Sequence, residues 1–185
     1  MKKEPIIKDN TGVLDRIVSD NILYTLPFWH NIGFTPNSLT TLSLICSIIC
    51  LFFIHKSNSL YALVFLILRW YFDYADGMLA RKYKQTTKFG DWYDHITDWF
   101  FWFGITYMIY IKSKTKSFHI SILVISTILF GMHQGCIEKA NSKYNKKATS
   151  LSWLKHICSD SKFIYAFDNT ILYMVLIFLI YDISK

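Results

Sequence analysis

The stretch "DYADGMLARKYKQTTKFGDWYDHITD", residues 73–98, holds five aspartates and stands between two long apolar runs. An acid at membrane depth costs on the order of 2.5–3.5 kcal/mol at a helix centre unless something pairs with it, so several together call for cations. Read as two helices over 60–81 and 90–111, the segment puts Asp73 and Asp76 three apart and Asp94 and Asp98 four apart. Each pair then shares a helical face. The connection "KYKQTTKF" is short, so the helices are expected to be antiparallel neighbours with all four carboxylates at one edge. Such a cluster repels itself unless it holds divalent metal, and all-oxygen ligands favour Mg²⁺, with Mn²⁺ and Ca²⁺ also possible. Gly77 and Gly90 cost helix stability, which points to a close approach to the backbone. Ala80 is small, and Arg81 adds a permanent cation at the same end. The set suits a diphosphate held by metals.

The elements that must position these residues are long and apolar. Runs occur at 39–54, 60–72, 99–111, 118–132 and 163–181, in a chain of 185 residues that is 52% hydrophobic and 18% aromatic. Against a bilayer core of about 30 Å they read as at least five transmembrane helices in one domain, residues 1–185. The runner-up is a soluble bundle, because several runs are shorter than about 18 residues. Ahead of the first run, Val13, Leu14, Ile17, Val18, Ile22 and Leu26 recur at three- and four-residue steps. This predicts an amphipathic helix over 10–30, either in the membrane interface or packed as an ordinary helix, within an amino-terminal segment 1–35. In "FTPNSLTTLSL", Thr35 can cap the next helix, Pro36 suits its first turn, and Asn37 and Thr40 follow near its end.

The net charge of +7 does not read as a nucleic-acid footprint, since the lysines sit at the ends of the apolar runs and membrane headgroups are the simpler partner. With the amino terminus inside, segments 1–35, 81–88 and 136–162 hold fourteen Lys and Arg, against five outside. That asymmetry predicts a multi-pass protein with its amino terminus and acidic edge cytoplasmic. The start "MKKEPIIKDNTG" has no apolar core of the signal-peptide kind. Cys46, Cys50, Cys136 and Cys158 show no paired spacing and read as plain buried or free thiols. Residues 136–160 read as a lysine-rich polar connection.

The pattern DxxDG, two residues, AR, eight residues, GxxxDxxxD resembles the signature of the CDP-alcohol phosphotransferases. It is matched at Asp73, Asp76, Gly77, Ala80, Arg81, Gly90, Asp94 and Asp98, with Thr35, Pro36 and Asn37 resembling the family's segment near the nucleotide. The resemblance implies an all-α, polytopic integral membrane helical bundle of five to six transmembrane helices with an amino-terminal interfacial amphipathic helix. It implies transfer of a substituted phosphate, phosphatidyl from CDP-diacylglycerol foremost, from a CDP-linked donor to an alcohol hydroxyl with release of CMP. Asp73, Asp76, Asp94 and Asp98 would hold two Mg²⁺ or Mn²⁺ ions, Asp98 would take the hydroxyl proton, and Asn37, Gly77, Ala80, Arg81 and Gly90 would flank the nucleotide. By the same analogy the protein is a homodimer acting on membrane lipid, with no nucleic-acid partner. The family usually has six membrane helices where five runs are visible. Trp99 stands where members that make phosphatidylglycerophosphate often carry lysine.

His95 directly follows the third motif aspartate and resembles a proposed base of the choline and ethanolamine branch, which uses a CDP-aminoalcohol and diacylglycerol. Rotated about 100° from Asp94, it is open rather to facing a neighbouring helix, and Asp98 is the preferred base. Arg69, four before Asp73, either orients that acid or reaches the headgroups. Asp91 reads as a helix-dipole charge, and His133 with Gln134 as an interior pair or an acceptor contact. A membrane ion or proton carrier is the reading from a different class.

Overall fold

A computed structural model describes residues 13–143, 152–158 and 162–184. The first twelve residues and the stretches 144–151 and 159–161 of the polar connection lie outside them. The elements are α1 (Val13–Asn31), α2 (Pro36–His55), α3 (Ser59–Lys82), α4 (Lys88–Lys112), α5 (Lys116–Lys143), a 3₁₀ turn (Ser152–Ile157), α6 (Lys162–Ala166) and α7 (Asn169–Ile183). Among the described residues there is no strand, and the fold is all-helical.

Local chemistry sets most of the boundaries. Thr35 is extended and accepts from the Ser38 amide with Pro36 at the first helical position, so α2 starts where the capping residues predict. Asn58 caps α3 through the Tyr61 amide, and Thr87 caps α4 through the Gly90 amide at 2.9 Å. The connections α2–α3, α3–α4 and α4–α5 are a few residues each, which folds α2 to α5 into an up-and-down bundle. At the far end from the motif aspartates, His119 near the start of α5 meets Asp182 near the end of α7 at 3.2 Å, so α7 runs antiparallel to α5.

Two clusters hold the bundle. The main one packs Ile54 of α2, Leu66 of α3, Phe101 and Ile105 of α4, and Leu176 and Leu179 of α7, all essentially inaccessible. The smaller packs Ile22 and Leu26 of α1 against Leu39, Ala75 and Leu79. Small residues (Ser43, Ser47, Cys50 and Ala62) line the α2–α3 contact and let the two backbones approach closely. On α1, Trp29 donates to the Tyr71 hydroxyl at 2.7 Å, and Tyr71 passes on to Thr25 at 2.6 Å.

Two helices, α2 and the part of α5 from Lys116 to Lys139, are long and apolar enough to cross a membrane, and less than half of each spanning window is buried. The helices α3 and α4 have the length but carry the charged motif, and α7 has 15 residues.

Two expectations are corrected. The run 163–181 is not one helix: it breaks at Phe167 and Asp168, because Asp168 is extended and its carboxylate caps α7 at the Ile171 amide, 3.0 Å away. Cys136 and Cys158 are not free thiols but a disulfide joining α5 to the end of the 3₁₀ turn, while Cys46 and Cys50 are free and buried. The signal absent from the sequence was proximity. With α5 continuing to Lys143, the 3₁₀ turn folds back against it at Gly135, where any side chain would run into the Leu154 carbonyl.

Candidate active site

Four helices converge on one cleft of about 310 Å³. Each contributes a stripe at helical spacing, as amphipathic geometry requires. From α3 comes the row Arg69, Asp73 and Arg81, with Gly77 between. From α4 come Asp91, Asp94, His95 and Asp98. The α5 row is Phe130, Gln134 and Glu138, and α7 supplies Asn169, Leu172, Tyr173 and Leu176. The volume falls at the lower end of the small-molecule range, enough for a diphosphate and a small alcohol.

Arg69 is the buried centre of this arrangement, 3% exposed. One Nη donates to the Asp98 carboxylate and the other to the Tyr173 hydroxyl, while Asp73 lies 3.6 Å from the first. The guanidinium also lies 4.4 Å over the Phe101 ring. Of the two roles open to it from sequence, Arg69 takes the one of orienting acids, and it orients two from different helices.

Asp73, Asp94 and Asp98 share the cleft, whereas Asp76 turns toward α2 and accepts from Thr40 at 2.5 Å. Asp94, His95 and Asp98 have ligand atoms within 4.8 Å of one another. His95 therefore faces the cleft rather than a neighbouring helix, with Nε2 3.7 Å from Asp91 and Nδ1 4.0 Å from Asp94. Asp91 does occupy the first turn of α4, where charge meets the helix dipole, and lines the cleft as well.

The glycines show what stands close to their backbone. A methyl group at Gly77 would lie 3.2 Å from an Arg81 Nη, so the guanidinium folds back over that glycine. A methyl group at Gly90 would lie 2.9 Å from the Asn37 side-chain oxygen, so α4 starts hard against α2. Ala80 is half-buried on α3 outside the cleft lining. His133 is fully buried and bonds the Ile164 carbonyl at 3.1 Å, and Gln134 beside it lines the cleft.

Sequence reasoning missed Tyr173, Asn169 and Glu138. Glu138 was legible as the continuation of the Phe130–Gln134 row once α5 is extended, but Tyr173 and Asn169 lie in an apolar run with no motif around them.

This all-helical fold with its acidic cleft agrees with the sequence comparison: the chain matches the CDP-alcohol phosphatidyltransferase family over residues 34–183 and belongs to that family. Membership implies a phosphotransferase that moves a substituted phosphate onto an alcohol. No curated protein and no solved structure matches the chain.

Proposed function

We propose that this protein is a phospholipid-synthesis enzyme that transfers a substituted phosphate, phosphatidyl from CDP-diacylglycerol foremost, to an alcohol hydroxyl and releases CMP. The observation that carries this reading is the cleft in which three motif aspartates from two helices meet around one buried arginine.

The donor set fits divalent metal. Asp73 and Asp94 each keep a buried Oδ1 with no hydrogen-bond partner among the described residues, which are lone pairs that a hard cation takes readily. Asp73, Asp76, Asp94 and Asp98 would hold Mg²⁺ or Mn²⁺, two ions per site. When bound, these ions neutralise charge on the diphosphate and on the leaving CMP.

The chain's own groups do the rest. Asp98 accepts the proton of the attacking hydroxyl, held in place by Arg69 from below. Arg81 folded over Gly77, with Ala80, and Gly90 packed against Asn37 form the nucleotide's cradle. Leu172, Leu176 and Phe101 close the apolar side and keep water from the diphosphate.

The membrane setting is supported by the outward faces. Ile45, Ile48 and Phe52 on α2, Val64 and Ile67 on α3, and Phe103 and Tyr107 on α4 are exposed apolar residues backed by an equally apolar core. A helix apolar on both sides has no soluble environment to face. Five helices, α2 to α5 and α7, would then span the membrane. The basic segments would lie on the side of the acidic cleft, which supports a cytoplasmic setting for that face. An interfacial α1 and a homodimer complete the picture.

A second reading, a CDP-aminoalcohol donor with diacylglycerol as acceptor, is favoured by one observation. Both cleft arginines, Arg69 and Arg81, are on α3, while the walls made by α4, α5 and α7 offer Asp91 and Glu138 with no Lys or Arg in the lining.

The test is purified protein in lipid nanodiscs, given CDP-diacylglycerol or a CDP-aminoalcohol with a panel of alcohols, reading CMP. Release with any pair, lost in chelator and restored by Mn²⁺, is expected, together with Mn²⁺ binding by electron paramagnetic resonance that Asp94→Asn weakens. Turnover undiminished in excess EDTA would refute the metal assignment. Absence of CMP with every pair, beside an ion flux through vesicles, would favour the carrier.

A further inference from the structure

The amino-terminal helix α1 lies outside residues 34–183, the part that matches the family, yet it is wired to the cleft. Its Asp15 is 5% exposed and sits against Asp168, which is 1% exposed. The two carboxylates cap each other's helices. The Asp15 amide in the first turn of α1 donates to Asp168 Oδ2 at 3.2 Å. In return, Asp15 Oδ1 accepts from the amide and the hydroxyl of Thr170 at 2.9 and 2.7 Å, and its Oδ2 accepts from the Asn169 amide at 3.3 Å. Asp168 Oδ1 takes the Ile171 amide. Two helix starts thus satisfy each other's orphan donors with two acids, each at a positive helix end. Burial beside Asp168 pushes the Asp15 carboxyl above its ordinary value, and the Thr170 bonds pull the other way.

The first turn of α7 held by Asp15 contains Asn169, which lines the cleft, and one turn further on is Tyr173. Tyr173 accepts from Arg69, which donates to Asp98. The first turn of α7 therefore joins the bonds from α1 to those that reach the acid assigned as base. If the start of α7 shifts or rotates, Tyr173 moves with it, because a helix carries its register along its length.

We propose that Asp15 is a positioning residue for the cleft, setting the register of α7 so that Asn169 faces the substrates and Tyr173 holds Arg69 against Asp98. The inference rests on the phosphotransferase reading above, and it assigns to a segment outside the family match a role in the chemistry. Misplacement by about 1 Å costs on the order of 10²-fold in an oriented site.

The test uses the full chain in nanodiscs. Asp15→Ala should lower kcat by ~10- to 100-fold with the KM for donor little changed. Asp15→Asn, which keeps an acceptor for Thr170, should recover most of that loss. Tyr173→Phe should lower kcat similarly, and the double variant should be no worse than the poorer single one, since both interrupt one path. Hydrogen exchange supplies a readout that needs no turnover: Asp15→Ala should raise exchange at the start of α7 and also on α3 around Arg69. If Asp15→Ala is too unstable to purify, Asp15→Asn and the Tyr173 cycle decide. Loss of thermal stability with unchanged kcat per folded molecule, additive effects in the double variant, or exchange confined to α1 and the start of α7 would each overturn the proposal. A wild-type protein that releases no CMP would instead refute the phosphotransferase reading, while the exchange result still reports on the connection.

Discussion

Arg69 of α3 donates to Asp98 of α4 across the helix interface while its other Nη bonds Tyr173, so one buried guanidinium ties three helices at the cleft floor. Removing it would strand Asp73 and Asp98 beside each other. Loss of one partner from a buried ion pair costs about 3–5 kcal/mol, although Asp98 is a third exposed and the lower end applies here. Arg69→Lys keeps the charge but not the fork that reaches both partners. We expect Arg69→Lys to purify as a folded protein with kcat down ~10- to 100-fold. Arg69→Met should lose both activity and thermal stability. Wild-type turnover in Arg69→Lys would show that charge alone suffices.

The meeting of Asp73 with Asp94 and Asp98 was legible because they stand at helical spacing on two helices joined by a short connection. The helix start at Thr35 was legible for a local reason too, since a cap needs only its own first turn. What the sequence hid depended on distant partners. Asp168 stands inside an apolar run, and its meaning appears only with Asp15, which lies 153 residues away. The Cys136–Cys158 bond needed the fold-back at Gly135, and the turn of Asp76 toward Thr40 needed the α2–α3 packing.

Gly77 and Gly90 should respond differently to enlargement. At Gly77 the obstacle is the flexible end of Arg81, so Gly77→Leu should fold but swing the guanidinium away. At Gly90 the obstacles are the Asn37 oxygen at 2.9 Å and the Thr87 cap at 3.1 Å, so Gly90→Ala must shift the start of α4. Both should weaken CDP-donor binding by ~10-fold or more, about 1.4 kcal/mol, with Gly90→Ala alone also lowering the melting temperature. Calorimetry with CDP and thermal melts separate the two. Unaltered donor affinity in Gly77→Leu would remove Arg81 from the cradle.

The proton acceptor is decided between Asp98 and His95, both of which line the cleft. His95 lies 3.7 Å from Asp91 and 4.0 Å from Asp94, whereas Asp98 is bonded by Arg69 at the cleft. The base proposed above is Asp98. Asp98→Asn should reduce turnover by roughly 10² to 10⁴ or more, metal loss included, and His95→Ala should lose little. A His95→Ala enzyme that binds donor normally but turns over a hundredfold slower, with the neutral limb of its pH profile gone, would reverse the assignment.

Glu138 should govern the charge of the alcohol. It lies one turn beyond Gln134 on the α5 row, in the same cleft as the arginines of α3, and Asp91 is the acid of the α4 wall outside the proposed metal ligands. A phosphorylated alcohol would bring about two further negative charges toward a wall with carboxylates and no Lys or Arg in its lining. An ammonium group would instead meet opposite charge and the aromatic side chains of Trp102 and Phe130, a ring type that attracts cations. The preferred alcohol should carry an amine, either as free acceptor with CDP-diacylglycerol or already linked to CDP with diacylglycerol as acceptor, and supplying each pair separately tells them apart. Glu138 is only half-buried, so solvent screens it and a modest effect is expected. Glu138→Gln should raise KM for the amino alcohol by about fivefold, corresponding to ~1 kcal/mol, and added salt should shrink the difference. Glu138→Lys should raise it further and improve use of a phosphorylated alcohol. Equal KM values for amino and phosphorylated alcohols in the wild type, unchanged by either substitution, would show that the α5 wall does not select for charge.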